Sequence, residues 1–224
     1  QINYILRHRE HSSTYKRNEQ AFMELNLQKM RKIGLDISKD GEIKFTLTWR
    51  GERCLIDRLL KRHQPVLGLG CFYLTDFGGR SLIDRLQFAK HPGARNQMTR
   101  QGGFDMVPYI WHEGVERADS GECVESIIVN NTKINKLKRL SIYAFSYLGK
   151  PRWNRIQPQL NVEIPGHETL TFDFSAKSKR KCRMLAMLNI TVENETLIIT
   201  SQQTLFHGHR DCNEALDWQL NVAP

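Results

Sequence analysis

In the stretch EIKFTLTW the apolar residues Ile43, Phe45, Leu47 and Trp49 alternate with Lys44, Thr46 and Thr48, directly after an Asp40-Gly41 turn. A period of two predicts a half-buried β-strand. Similar short apolar runs recur along the chain. VLGLGCFYLTD and RSLIDRLQ flank Phe77-Gly78-Gly79 and predict a hairpin, its glycines supplying positive φ. ESIIVN, RLSIYAFSYL, QLNVEIP, ETLTFDF, CRMLAMLNITV and TLIITSQQ follow, separated by Asn-Asn, Gly-Lys-Pro, Pro-Gly, a Lys/Arg run and Glu-Asn-Glu. Many short strands with such punctuation predict an all-β, two-sheet β-sandwich. Tyr143, Phe145 and Tyr147 share one face of their strand and read as packing.

Two segments break the strand pattern. Leu55, Ile56, Leu59 and Leu60 recur at helical spacing until Pro65, predicting a short inserted helix, and HRDCNEALDWQL predicts a C-terminal helix with Ala215, Leu216 and Trp218 to Leu220 facing the sheet. AFMELNLQKMRKIG, residues 21–34, fits either a helix face or a strand. Residues 1–20 are polar and basic and read as an arm, leaving 21–224 as the sandwich domain with its terminal helix.

Composition changes the picture through charge. The 224 residues carry 33 Lys and Arg against 24 Asp and Glu, a formal +9. The stretch WHEGVERADSGECVE, residues 111–125, holds five of those acids with one Arg, so it stands at −4 and the remainder at +13 (9 plus 4). No apolar run approaches the ~20 residues of a membrane span, and the N-terminal stretch lacks the order of a secretory signal. Five scattered cysteines with no C-x-x-C read as buried or free thiols. These features predict a cytosolic protein.

Candidate chemistry is sparse. No nucleotide-binding glycine fingerprint, G-x-S-x-G or zinc-protease motif is present, so the sequence gives an enzyme no support. His207 and His209 in HGHR are either two metal ligands on one strand face or part of the turn into the last helix, with Asp211 in its first turn. On the structural reading Gly208 makes a sharp turn of positive φ, and His209 and Arg210 tie the helix to the sheet through Asp217 or a carboxylate in the sandwich. The basic clusters KINKLKR and AKSKRKCR, with Lys177, Lys179, Arg180, Lys181 and Arg183 in the second, could neutralise an anionic partner, nucleic acid or membrane surface, or be solvated loops. The acids Glu113, Glu116, Asp119, Glu122 and Glu125 are either a cation-binding loop, since Ca²⁺ takes six to eight oxygens from flexible loops, or a solvated turn.

GLGCFYLTDFGG, GGFDMVPYIWHEGVER, ESIIVNNTKINKLKRLSIYAFSYLGKPRWN and FHGHRDCNEALDW occur in the order in which similar segments occur in TerD-domain proteins. The chain resembles that tellurium-resistance and stress-response family, most of all its TerA-type branch, over roughly residues 40–219. The resemblance implies a non-enzymatic β-sandwich that holds Ca²⁺ on acidic loops and works with other proteins of a stress-response complex. It also implies that residues 21–34 form a strand and that Trp153 packs at the sandwich edge. The family's first acidic pair is here Gly68-Leu69-Gly70, its central loop keeps Glu113 and Glu116 around Val115, and its last acidic group keeps Glu125. The implied site is therefore a weak or degenerate one, with Asp119 or Glu122 as substitute ligands.

Overall fold

The computed structural model describes residues 32–37, 40–50, 66–87, 94–117, 122–149, 151–174, 182–193 and 196–221. The expected arm, residues 21–31 of the ambiguous segment 21–34, and the inserted helix at 54–65 lie outside them. All described residues after Lys32 belong to one compact unit, Ile33–Pro224.

Two six-stranded sheets are built from the described residues. The first runs β1 (Lys32–Asp36), β12 (Thr196–Phe206), β11 (Met184–Glu193), β8 (Leu137–Leu148), β3 (Val66–Thr75) and β4 (Arg80–Asp84). The second runs β10 (Leu170–Asp173), β9 (Gln159–Glu163), β2 (Glu42–Arg50), β7 (Glu122–Asn130), β6 (Ile110–Arg117) and β5 (Gly102–Gly103). This is the expected all-β sandwich. Each alternating run of the sequence became a strand because one of its faces is buried: Ile43, Phe45, Leu47 and Trp49 of β2 are all within 4% of full burial. The β3–β4 hairpin turns on Gly78 at φ 88°.

Between the sheets, Ile43, Phe45 and Val129 meet Leu137, Leu140, Ile190 and Leu197 around a void of ≈ 10 Å³. Apolar walls and a volume at the lower limit for one water keep that space dry. The outer face of the first sheet carries a second apolar layer, in which Phe72, Tyr143, Phe145, Met184 and Phe206 pack with Cys212 and Trp218. Trp153 opens the four-residue helix α1 (Trp153–Ile156), is fully buried, and donates its indole N–H to the Cys182 carbonyl at 3.1 Å. Cys71, Cys182 and Cys212 are buried free thiols and Cys123 is a half-buried one.

The C-terminal corner departs from expectation in two ways. Helix α2 spans only His209–Ala215, because Asp217 and Gln219 adopt left-handed φ of 51° and 54°. Ala215 is exposed, and Trp218 reaches the sheet from the chain beyond the helix. Gly208 has φ −177°, an extended conformation open to any residue, and a Cβ there would meet nothing within 4 Å. The expected need for glycine at 208 is thus corrected. Asp211 does sit in the first turn, where its carboxylate accepts the His207 backbone N–H at 3.2 Å.

Candidate functional site

The polar chemistry of the described residues converges where β4 leaves β3. The register pairs Gly70 with Asp84, so the next rung would set Leu69 opposite Arg85. Arg85 instead starts a 3-10 turn, Arg85–Gln87, and Leu69 loses its strand neighbour. Side chains of the other sheet replace the rung. Glu125 Oε2 accepts the Leu69 N–H at 2.5 Å, and the His112 ring at Nε2 lies 3.0 Å from the Leu69 carbonyl. The guanidinium of Arg85 then returns to donate to Glu125 Oε1 at 3.0 Å.

Local geometry fixes His112. A β-bulge between His112 and Gly114 adds one residue to β6, and Gly114 takes φ 89°, which glycine tolerates best. The Gly114 N–H donates to His112 Nδ1 at 3.0 Å. An acceptor at Nδ1 requires the proton on Nε2, which is therefore the donor to Leu69 O. Burial, the largest cause, lowers the His112 pKa from 6.5 to about 4. Protonation would also turn Nδ1 into a donor facing another donor.

Glu125 is fully buried beside Leu47, its directly paired neighbour on β2. Burial raises its pKa from 4.5 to about 7, against the opposing pull of the Leu69 N–H and Arg85; nearby Asp84 raises it further. Asp84 is buried too. Its Oδ1 accepts the Leu86 N–H at 2.9 Å and its Oδ2 the Tyr143 hydroxyl at 3.0 Å. His209 Nε2 stands 2.9 Å from Asp84 Oδ2, an ion-pair distance without the alignment of a hydrogen bond. The His209 ring lies edge-on to Tyr143 and Phe145, with centroids 5.3 and 5.0 Å away. Burial and Asp84 push the Tyr143 pKa well above its ordinary 10.

Of the acids expected to share a cation, the two whose side chains are described, Glu113 and Glu125, do not converge. Glu125 points between the sheets, while Glu113, carried outward by the bulge, pairs with Lys44 at 2.9 Å. It lines an open groove of the second sheet's outer face with Lys44, Thr46, Ser126 and Glu163. Glu113 and Glu125 therefore lie on opposite faces of the second sheet. Asp119 and the side chains of Glu116 and Glu122 lie outside what is described, as do Lys177, Lys179, Arg180 and Lys181. Arg183 is exposed just ahead of β11.

Among the described residues, the positions of the family's first acidic pair have no room for carboxylate ligands. A Cβ at Gly68 would come within 2.9 Å of the Phe145 ring, and one at Gly70 would collide with Tyr143. The two aromatic rings of β8 thus take the space that acidic side chains at these positions would need. Both oxygens of Glu125 and both of Asp84 already have partners. Among the described residues no group of three or more His, Cys, Asp or Glu could hold a metal ion.

The corner expected at HGHR is only half as drawn. His209 reaches a sandwich carboxylate, Asp84, while Arg210 is exposed. Asp84, Arg85, His112 and Tyr143 were not singled out in the sequence as one group. Only His112 had a local signal, the glycine two residues after it.

No family model matches the chain. It is 21% identical over 182 residues to the tellurium resistance protein TerA of an Alcaligenes species, an alignment covering 80% of this chain and 50% of that protein. The chain thus spans about half the length of the curated relative it matches. The similarity supports a distant relationship to tellurium-resistance proteins of the Ter type. Among the described residues no helix is long and apolar enough to cross a membrane.

Proposed function

We propose that this chain is a non-enzymatic, cytoplasmic stress-response module of the tellurite-resistance type, acting as a binding domain within a protein complex. The similarity to TerA over most of the chain supports the physiological side of this reading. The observation that carries the non-enzymatic side is the state of the polar cluster. Glu125, His112, Asp84 and Tyr143 are each no more than 1% exposed, the first two bonded to the Leu69 backbone and the last two to each other. A general acid or base must reach the proton it transfers, whereas Glu125 and His112 are spent on tying the second sheet to Leu69 of the first, and Asp84 and Tyr143 on bonds within the first sheet and the turn after β4. What remains for partners is the surface.

Deleting the coding sequence in its host and titrating growth against potassium tellurite tests the physiological claim. Increased sensitivity, reversed by the wild-type chain, is expected; unchanged sensitivity would remove it. Partner proteins should co-purify with the tagged chain in high salt.

A second reading, a module for an anionic partner, is favoured by one feature: Lys133, Lys136 and Lys138 are all exposed on a chain of net charge +9. Retention on heparin that falls steeply with salt would support it. Co-purification that persists in high salt would favour the first.

A further inference from the structure

We propose that the Arg85 guanidinium is a built-in cation at the place where the resemblance puts a metal ion, so that this sandwich is closed by its own charge and needs no Ca²⁺. The proposal stands on three observations that do not depend on each other. The first is steric: Phe145 and Tyr143 fill the volume beside Gly68 and Gly70, so carboxylates cannot be restored there without moving a buried ring.

The second is the state of the donors. A Ca²⁺ ion draws six to eight oxygens. Glu125 Oε1 is taken by Arg85 at 3.0 Å and Oε2 by the Leu69 N–H at 2.5 Å. Asp84 Oδ1 is taken by the Leu86 N–H at 2.9 Å, and Oδ2 faces the Tyr143 hydroxyl at 3.0 Å and His209 at 2.9 Å. A metal would have to displace every one of these partners and would then find, among the described residues, two carboxylates.

The third is topological. Arg85 is the residue whose backbone would have paired with Leu69 had β4 continued. By turning off there, the chain removes one ladder rung and brings a positive charge back to the same spot. Its side chain is 34% exposed while that of Glu125 is 0% exposed. The charge therefore enters from the rim and neutralises a carboxylate inside. The tie also holds its own geometry, because the Arg85 guanidinium lies over the Tyr147 ring at 5.3 Å.

Thermal melts of the full 224-residue chain in millimolar CaCl₂ and in excess EGTA test the proposal, together with metal analysis of protein purified without chelator. The wild type should melt at the same temperature in both and carry no stoichiometric calcium. A Ca²⁺-dependent rise of several degrees, the size expected for a site saturated a hundredfold above its Kd, would overturn the proposal, as would bound calcium at one per chain. Arg85→Ala should melt several degrees below wild type at neutral pH. Arg85→Lys, which keeps the charge but loses the planar fork, should fall between the two. Arg85→Ala melting like wild type would also overturn it. The wild-type measurements decide the matter even where Arg85→Ala fails to fold, and none of them involves tellurite, so the physiological reading stands or falls separately.

Discussion

At one end of the sandwich Ile43, Phe45, Val129, Leu140 and Ile190 close the space between the sheets with a wall that is apolar apart from Arg139. Four residues along β2 and β7, the same two strands frame Glu125, and the sheets are joined by Arg85, His112 and the Leu69 backbone. The apolar end is held by non-directional burial and tolerates a small void. The polar end is held by directional bonds, each needing its partner, around a carboxylate buried beside Leu47. The contrast teaches that a buried carboxylate here specifies how the sheets meet, whereas the bulk of the stability comes from the other end.

The comparison can be broken most forcefully at the apolar end. Phe45→Ala should cost about 3–5 kcal/mol, transfer plus cavity, measured by denaturant titration with little dependence on pH. A loss below about 1 kcal/mol would mean that the void collapses and the core there is not tightly packed.

At the polar end the expected effect lies in the pH profile. Glu125 has a folded pKa raised from 4.5 to about 7. The stability it adds is complete below pH 4.5 and is lost as pH rises through 7. His112 has its folded pKa lowered from 6.5 to about 4, so its contribution is complete above pH 6.5 and lost as pH falls through 4. The two slopes oppose each other across the shared window, and the pair contributes little pH dependence. Each single variant should unmask the other. His112→Gln should gain stability as pH falls from 7 to 4.5, and Glu125→Gln should lose it as pH falls from 6.5 to 4, each by on the order of 3 kcal/mol. Parallel profiles for the two variants would show that the groups do not titrate in opposition.

The smallest effect belongs to the outer face. Lys44 and Glu113 are 37% and 30% exposed at their side chains, and such pairs contribute less than about 1 kcal/mol. Lys44→Ala should therefore leave the melting temperature nearly unchanged, and added salt should abolish the remaining difference. A loss comparable with that of Phe45→Ala would mean that the groove is structural.

The strands were legible because alternation and burial act on neighbouring residues: Ile43 to Trp49 and Tyr143 to Tyr147 declare their faces by themselves. The faces taken by the acidic loop's two ends were not legible in its period of three. Strand side chains alternate with period two, but the bulge between His112 and Gly114 carries Glu113 outward while Glu125 points between the sheets. Gly68 and Gly70 read as lost ligands, yet their meaning lies in two rings some 75 residues away on β8. Asp84, Arg85, His112, Glu125, Tyr143 and His209 share no spacing, and only the pairing of strands brings them together. Gly208 was assigned a positive φ from its neighbours alone, but the chain enters α2 extended.

The missing rung at Leu69 has a consequence for how copies of this chain behave toward one another. A sheet edge with free N–H and C=O groups is a template on which another chain can add a strand and begin to aggregate. Beyond Asp84 the first sheet would present such an edge, on a strand as apolar as Val66–Cys71. Glu125 and His112 occupy the donor and the acceptor of Leu69 from within the same molecule. An incoming strand therefore finds the Leu69 rung already taken.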